Sequence, residues 1–256
     1  MDAIFIPKGN VFEPTELARG PWDPEAQHGG APAALIAREF ETIGNGWPFA
    51  RIDVDFLKPV PLEPLSVSAS IERDGRRARR LRAELRAGDD VLALGEGLQL
   101  RPGEDPVPSI GMKTRKLAPP YAGSPPIIDV GRAPMFAGDG VELSIVKGAF
   151  DTRGPAAAWF RLTVPLVDGE TPSPLQRTLA AADFGNGLSS AISWDHFTFV
   201  NAELTVYLLR YPDGEWVALD SRTSIDPGGI GVSESVLHDE QGPVGRALQS
   251  LYVSRR

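Results

Sequence analysis

Two stretches of this sequence share one pattern, and the second begins roughly 150 residues after the first. Each opens with small residues and glycines, at 27–36 and at 182–191, and each opening is followed by four runs typical of β-strands. A repeat of this kind predicts two similar small domains rather than one large one. Positions at which the two copies differ then indicate where chemistry is carried.

The composition predicts a water-soluble globular protein. Of the 256 residues 42% are hydrophobic, which is enough for one large core or two ordinary ones. The net charge of -8 and the pI near 5.0 argue against a protein that binds duplex nucleic acid. No apolar run approaches the ~18 residues of a membrane helix, and the start of the chain does not resemble a signal peptide. We therefore expect a cytoplasmic protein with no membrane partner.

Metal and disulfide chemistry find few candidate residues. The chain has no cysteine, which removes disulfides, zinc–thiolate sites and cysteine nucleophiles together. Its three histidines, His28, His196 and His238, are too scattered to predict a metal site. We expect neither a metal nor another cofactor.

Hydrophobic periodicity predicts one helix and four strands in each copy. The first helix is expected to begin near Gly30. The second is marked by a capping box with proline at the first helical position, Ser173-Pro174-Leu175-Gln176. The expected strands are 50–57, 65–73, 77–87 and 91–101, then a lead-in strand at 157–164, then 199–210, 215–225, 230–238 and 243–253. Hairpin-linked strands imply antiparallel sheets with one helix on a face, so the predicted fold class is α+β, twice.

A proline-rich stretch separates the copies. Residues 101–134 show no sustained period, and proline at this density favours extended, solvated backbone. The predicted organisation is an N-terminal domain at 1–102, a linker at 103–134 and a C-terminal domain at 135–256.

Four segments carry a family resemblance that spans both copies. They are 20–30, 55–61, 181–187 and 245–249. In this order, and with the duplication, they resemble the double-hotdog acyl-CoA thioesterases of the acyl-CoA thioesterase II type. The resemblance implies an antiparallel sheet wrapped around a central helix in each copy, with the copies packed as a pseudo-dimer. It also implies hydrolysis of acyl-CoA to free acid and coenzyme A, within fatty acid metabolism.

The resemblance implies three catalytic residues in the second copy. Asp183 falls at the family's aspartate and Gln249 at its glutamine, whereas Asn201 stands where the family has a hydroxyl residue. Thioester hydrolysis needs a carboxylate that activates water or attacks, with donors that position the water and stabilise the oxyanion. An amide can hydrogen-bond a water as a hydroxyl can, so Asn201 is expected to take part.

Glycines at both openings are the candidate substrate-binding positions. Gly185 and Gly187 flank Asp183 at what we expect to be a helix opening, where exposed N–H groups favour an anion. In the first copy, Gly29 and Gly30 follow His28, which replaces the aspartate. His28 can line the site, but a packed or capping histidine is the favoured interpretation.

The first copy is expected to lack the hydrolytic residues. Counting from the turns, Glu96 matches Gln249, and a position near Phe49 matches Asn201. We therefore expect one active site per chain.

Seven arginines lie between Arg73 and Arg86. They can bind the phosphates of coenzyme A, since guanidinium groups match phosphate oxygens. A solvated strand face is slightly favoured, because the alternation places Leu81, Ala83 and Leu85 inward and their arginine neighbours outward.

Two other function classes stay open. The first is a hotdog hydratase or dehydratase. A resemblance to that class would need a histidine five residues after Asp183, and Leu188 at that place counts against it. A non-catalytic module that binds acyl-CoA is left open by Asn201. Free sheet edges also allow two chains to pair as a homodimer.

Overall fold

The computed structural model describes residues 3–44, 46–112, 114–123, 134–148 and 152–256. Before the first predicted domain core, a short hairpin and a 3-10 helix lie at β1 (Phe5–Lys8), β2 (Val11–Pro14) and Glu16–Ala18. The first copy then contains α1 (Gly30–Ile43), β3 (Phe49–Phe56), β4 (Ser66–Asp74), β5 (Ala78–Ala87) and β6 (Asp90–Leu100). The start at Gly30 and all four strands of this copy confirm the predictions from periodicity.

The second copy has the predicted order with one added strand. Its elements are β7 (Val141–Lys147), β8 (Ala156–Leu162), α2 (Pro174–Ala182), α3 (Gly185–Leu188), β9 (Phe197–Asn201), β10 (Glu203–Leu208), β11 (Val217–Ile225), β12 (Ile230–Asp239) and β13 (Gly242–Arg255). The prediction missed β7. The predicted strand at 199–210 is interrupted at Ala202, whose N–H bonds to Ser250 and whose carbonyl accepts from Phe56.

The capping box at the start of α2 is half present. Ser173 is the N-cap, and its hydroxyl accepts from the Gln176 N–H at 3.1 Å, as predicted. The Gln176 amide does not return to Ser173 but donates to Glu41 Oε2 at 2.9 Å, across the boundary between the copies. The second half of the motif thus serves to join two helices.

One antiparallel sheet of eleven strands runs through both copies. Its order is β4-β5-β6-β3-β10-β13-β12-β11-β8-β7, with β9 also paired to β13. The pairing of β3 with β10 joins the copies, for example Val54 opposite Leu204. The α+β prediction is confirmed, because α1 and α2 lie against one continuous core below this sheet.

The two helices pack antiparallel. At one end, Glu41 in the last turn of α1 accepts from Ser173 and Gln176 at the start of α2. At the other, Gly30 at the start of α1 lies so close to Ala180 that an added Cβ would be 2.5 Å from the Ala180 carbonyl oxygen. The C-terminal end of α2 therefore meets the N-terminal end of α1.

The N-terminal segment at β1 and part of the predicted linker pack onto the second copy. The N–H groups of Ile4 and Phe5 bond to the carbonyls of Pro165 and Leu166. In the described part of the predicted linker, a 3-10 helix at Pro120–Ala122 lies against β7, and Trp159 Nε1 donates to the Ala118 carbonyl at 2.7 Å. The proposed boundaries after 102 and 134 stay a prediction. Across the described ranges, no helix is both long and apolar enough to cross a bilayer.

Candidate active site

Asp183 lies where α2 ends, buried with 5% exposure. Asp183 is the C-cap of α2 and precedes α3, which begins at Gly185, so the helix opening expected next to it is that of the four-residue α3. The helix N-terminus that faces it is that of α1, from the other copy. Asp183 Oδ2 lies 3.1 Å from His28 Nδ1, and a Cβ added at Gly29 would lie 2.8 Å from this carboxylate oxygen. The positive end of the α1 dipole therefore lies next to this oxygen.

The three predicted catalytic side chains come together. Asn201 Nδ2 donates to Asp183 Oδ1 at 2.6 Å, and Gln249 Nε2 donates to the same oxygen at 3.1 Å. Gln249 also donates to the Asp183 main-chain carbonyl at 3.1 Å. One carboxylate oxygen is thus fixed by two amides, while the other faces His28 and Gly29.

Strand alternation and a strand break aim the two amides at Asp183. Gln249 is an inward residue of β13 with 2% exposure, and its neighbour Ser250 faces outward. Asn201 is the last residue of β9, immediately before the interruption at Ala202. The Asn201 side chain is longer than the hydroxyl side chain that the family resemblance implies here, and its Nδ2 contacts the Asp183 carboxylate directly.

Asn186 is a site residue that the sequence prediction missed. It is buried with 7% exposure, and its side-chain N–H₂ donates to Asn201 Oδ1. Its main-chain N–H donates to Gln249 Oε1 at 3.0 Å. Because Asn186 occupies both amide oxygens, the N–H₂ groups of Asn201 and Gln249 must point to Asp183. The residue stands in the Asp-Phe-Gly-Asn-Gly segment, which was singled out for its aspartate and glycines.

His28 brings the first copy into this site. Its Nδ1 accepts from the Gly30 N–H at 3.1 Å, and its ring packs on Phe184 with centroids 4.3 Å apart. The same nitrogen lies 3.1 Å from Asp183 Oδ2. A ring nitrogen cannot accept from Gly30 and donate to Asp183 at once, so the proton state of His28 decides which bond is made.

The predicted glycines are required where chains approach most closely. A Cβ on Gly185 would lie 2.9 Å from both Gln249 Oε1 and Ser235 Oγ. Gly29 and Gly30 are hemmed by Asp183 and Ala180 as described above. Gly187 lies in α3, one residue beyond Asn186, and is half-buried.

The predicted match of Glu96 to Gln249 is wrong. Glu96 faces outward and pairs with Arg51, with 58% of its side chain exposed, whereas Gln249 faces inward. The inward glutamine of β6 is Gln99, buried with 1% exposure, and its Leu-Gln dipeptide repeats that of β13. Phe49, the proposed counterpart of Asn201, stacks on Phe40 in the core.

The arginine-rich hairpin behaves as a solvated face. Leu81, Ala83 and Leu85 are buried, as the alternation predicts. Several of the arginines pair with local carboxylates, namely Arg79 with Asp74, Arg82 with Glu72 and Arg86 with Glu84. The tip of the hairpin lies beside the C-terminal end of α1, because Arg79 is opposite Gln99 and Gln99 lies against Gly44. A 14-residue helix of about 21 Å separates that end from Gly30.

His196 is exposed, and His238 is buried away from the contacts of Asp183. Burial lowers the pKa of His238, against the opposing charges of Asp220 and Asp239. No group of three or more His, Asp or Glu side chains in the described ranges is arranged to hold a metal ion.

Profiles of two acyl-CoA thioesterase domains match this chain. The profile of the acyl-CoA thioesterase N-terminal domain matches residues 18–97, and that of the acyl-CoA thioesterase C-terminal domain matches residues 115–253. No curated protein sequence matches the chain.

Three solved structures share the fold over nearly the whole chain. A protein from Thermobifida fusca YX, provisionally assigned as a thioesterase II, is 17% identical, with a TM-score of 0.77 over 98% of this chain and 95% of its own. A hot dog fold protein from Alicyclobacillus acidocaldarius is 14% identical, with a TM-score of 0.76 over 99% and 97%. The acyl-CoA thioesterase II TesB2 from Mycobacterium marinum is 14% identical, with a TM-score of 0.66 over 97% and 94%.

The structural likeness confirms the predicted tandem hotdog architecture. The two profiles together span most of the chain, one for each copy of the repeat. The chain therefore belongs to the acyl-CoA thioesterase family and is a thioester hydrolase.

Proposed function

We propose that this protein hydrolyses acyl-CoA to a free acid and coenzyme A, with Asp183 as the reactive carboxylate and Gln249 and Asn201 as its positioning amides. One observation carries the proposal. Both amides donate to Asp183 Oδ1, so that Oδ2 is held in a fixed direction, toward the first copy. A buried carboxylate oriented in this way can take a proton from water without first reorganising its surroundings.

The proposed reaction begins at the oxygen that faces His28 and Gly29. A water molecule next to Oδ2 gives its proton to Asp183 as its oxygen attacks the thioester carbonyl carbon. The tetrahedral intermediate then collapses, the carbon–sulfur bond breaks, and the thiolate takes up the proton as coenzyme A leaves. The Asn201 N–H₂ group has a second proton besides the one that bonds to Asp183, and that proton can orient the water, whereas both protons of the Gln249 N–H₂ group bond to Asp183.

The N-terminus of α1 is the proposed oxyanion site. No acceptor for the Gly29 N–H is found among the described residues, and this N–H belongs to the N-cap of α1. A negative charge that develops on the carbonyl oxygen is stabilised by such a donor together with the helix dipole. Glycine is needed at this position because a side chain would meet Asp183 and Phe56.

The test is release of free thiol from a panel of acyl-CoA esters, by the wild-type chain and by Asp183→Asn. We expect turnover by the wild type and a loss of about 10³-fold in kcat/KM in the variant, the range of a general base. Near-normal turnover in a folded variant would contradict the role of Asp183. No release by the wild type would favour the non-catalytic module that binds acyl-CoA.

The His28–Asp183 pair favours a second candidate reaction. A histidine and an aspartate at 3.1 Å can return and remove protons during hydration of an enoyl thioester. Loss of the conjugated absorbance of an enoyl-CoA, without thiol release, would identify this reaction. Thiol release without loss of the double bond would exclude it for that substrate.

A further inference from the structure

A small apolar cluster borders the catalytic set on the side away from the main core. Its buried members are Phe199, Leu251 and Val253. Ile192, Trp194 and Ile225 pack against them from the second copy. This cluster is separate from the continuous core that lies around both helices.

The cluster continues the same strand faces that carry the catalytic amides. On β13, Leu251 and Val253 follow Gln249 on the inward face, and on β9, Phe199 precedes Asn201 on that face. Asn201 is directly opposite Leu251. The apolar surface therefore begins two residues, or about 7 Å, from the amides that hold Asp183.

Three aromatic rings close this surface, and one of them comes from the other copy. Trp22 of the first copy stacks on Trp194 with centroids 4.4 Å apart, and both rings meet Phe199 edge-on at 5.2 and 5.0 Å. At these separations the rings leave no room for a chain between them. Trp22 is 42% exposed, so these three rings extend from the cluster to the protein surface.

By contrast, the surroundings of His28, which lies 3.1 Å from Asp183 Oδ2, are filled. The His28 ring contacts Phe136 and Phe184, and Phe160 packs on Phe184, with 0%, 3% and 2% exposure of these three rings. An acyl chain attached to a carbonyl at Asp183 therefore meets filled core beside His28 and the apolar cluster along β9 and β13.

We propose that Trp22, Trp194 and Phe199 form the end wall of the acyl pocket, so that the enzyme accepts short acyl chains. The inference rests on the thioesterase function proposed above. The wall takes the acyl end of the substrate rather than coenzyme A, because its described members are apolar and include no lysine or arginine for phosphates. Both copies build it, since Trp22 and Trp194 lie on different sides of the repeat.

One polar atom in the wall lacks a partner. Trp194 Nε1 is buried and donates to no acceptor in the described ranges. Trp194→Phe removes this N–H and keeps an apolar ring, whereas Trp194→Ala removes the wall itself. The pair of variants separates a steric role from a hydrogen-bonding one.

The experiment measures kcat/KM for thiol release from butyryl-, octanoyl- and palmitoyl-CoA. The variants are Trp22→Ala, Trp194→Ala and Trp194→Phe, with Tyr252→Ala as the control, because Tyr252 is on the same strand but faces outward with 65% exposure. Each methylene newly buried contributes a factor of about four. We expect both alanine variants to raise the octanoyl-to-butyryl ratio by about tenfold or more, and Trp194→Phe and the control to leave it nearly unchanged.

Two results would overturn the wall. One is an unchanged ratio in both alanine variants, with circular dichroism showing them folded. The other is an equal rise in KM for every chain length together with weaker inhibition by coenzyme A alone, which would place the cluster on the coenzyme. If the wild type releases no thiol, the proposed hydrolysis fails separately. Calorimetric affinities for the same esters then test the wall, and a chain-length dependence unaltered by Trp22→Ala would refute it.

Discussion

The two ends of the antiparallel helix pair have the same layout and opposite uses. At each end, a carboxylate near the last turn of one helix meets the first turn of the other: Asp183 meets α1, and Glu41 meets α2. Glu41 Oε2 accepts from Ser173 and Gln176, which are the N-cap and third residue of α2. Its partners therefore belong to the other helix, and the bonds tie the two helices together.

Asp183 is held differently. Its amide partners come from strands β9 and β13, and its second oxygen meets His28 and Gly29 at the N-terminus of α1. The strand partners leave the N-terminus of α1 available to a substrate. The comparison teaches that the catalytic end differs from the structural end by where the donors come from, rather than by the presence of a buried carboxylate.

The inward glutamines extend this comparison. Gln249 donates to Asp183, whereas Gln99 donates to the Trp47 carbonyl at 2.8 Å beside the end of α1. We expect Gln249→Leu to lower kcat/KM by about 100-fold, since an oriented donor at the reacting group is removed. The matched control Gln99→Leu should retain activity while losing stability, as shown by thiol release and thermal melting. Equal activity losses in the two variants would contradict a catalytic role for Gln249 that Gln99 does not share.

His28 is the contribution of the first copy. His28→Ala should lower kcat/KM by about tenfold, because it removes the acceptor of the Gly30 N–H and the ring that lies against Asp183 Oδ2, a loss of about 1.5 kcal/mol. The exposed His196 serves as control, and His196→Ala should behave as wild type in the same assay. An unaffected rate in His28→Ala would mean that the second copy alone builds the site.

The contribution of Glu41 to the free energy of unfolding should depend on pH. Burial raises its pKa above the ordinary 4.5, against the lowering effects of the Ser173 and Gln176 hydrogen bonds and of the Arg177 charge. A raised pKa in the folded state gives a stability contribution that is complete below pH 4.5 and is lost as the pH rises through the folded value. Thermal melting should therefore show wild type gaining most over Glu41→Gln at low pH. A gap that widens with rising pH would contradict the sign.

Glu96 should have the smallest effect. It is exposed on the outer face, so Glu96→Gln should leave kcat/KM within about twofold of wild type, in line with surface changes of ±0.5 kcal/mol. Thiol release measures it, with folding checked by circular dichroism. A collapse of activity would place a working site in the first copy.

Local signals in the sequence predict most of the elements. The proline at the start of α2, the Ser173 cap and the period of two along β5 are each decided by residues close in sequence, and each is confirmed. The missed strand β7 follows residues without any pattern of their own. Asp183 lies between the end of α2 and the start of α3, and the sequence does not separate the two because glycine and asparagine mark helix ends as well as openings.

Contacts between the copies could not be predicted in the same way. His28 and Asp183 meet only after α1 and α2 have packed antiparallel, and Trp22 reaches Trp194 by the same docking. Asn186 was missed because its importance lies in the orientation it gives to two amides from distant strands. Counting from turns matches the outward Glu96 to the inward Gln249, because the inward face of a strand is revealed by burial alone.

The most direct test of this account compares Asp183→Asn with Glu41→Gln in one set of measurements, kcat/KM for thiol release and the free energy of unfolding. The account predicts a crossed result, in which Asp183→Asn loses activity by about 10³-fold and stays folded, while Glu41→Gln keeps activity and loses about 1 kcal/mol of stability when unfolding is measured at low pH. If Glu41→Gln abolished turnover, or if Asp183→Asn kept it, the assignment of chemistry to one end and structure to the other would be wrong.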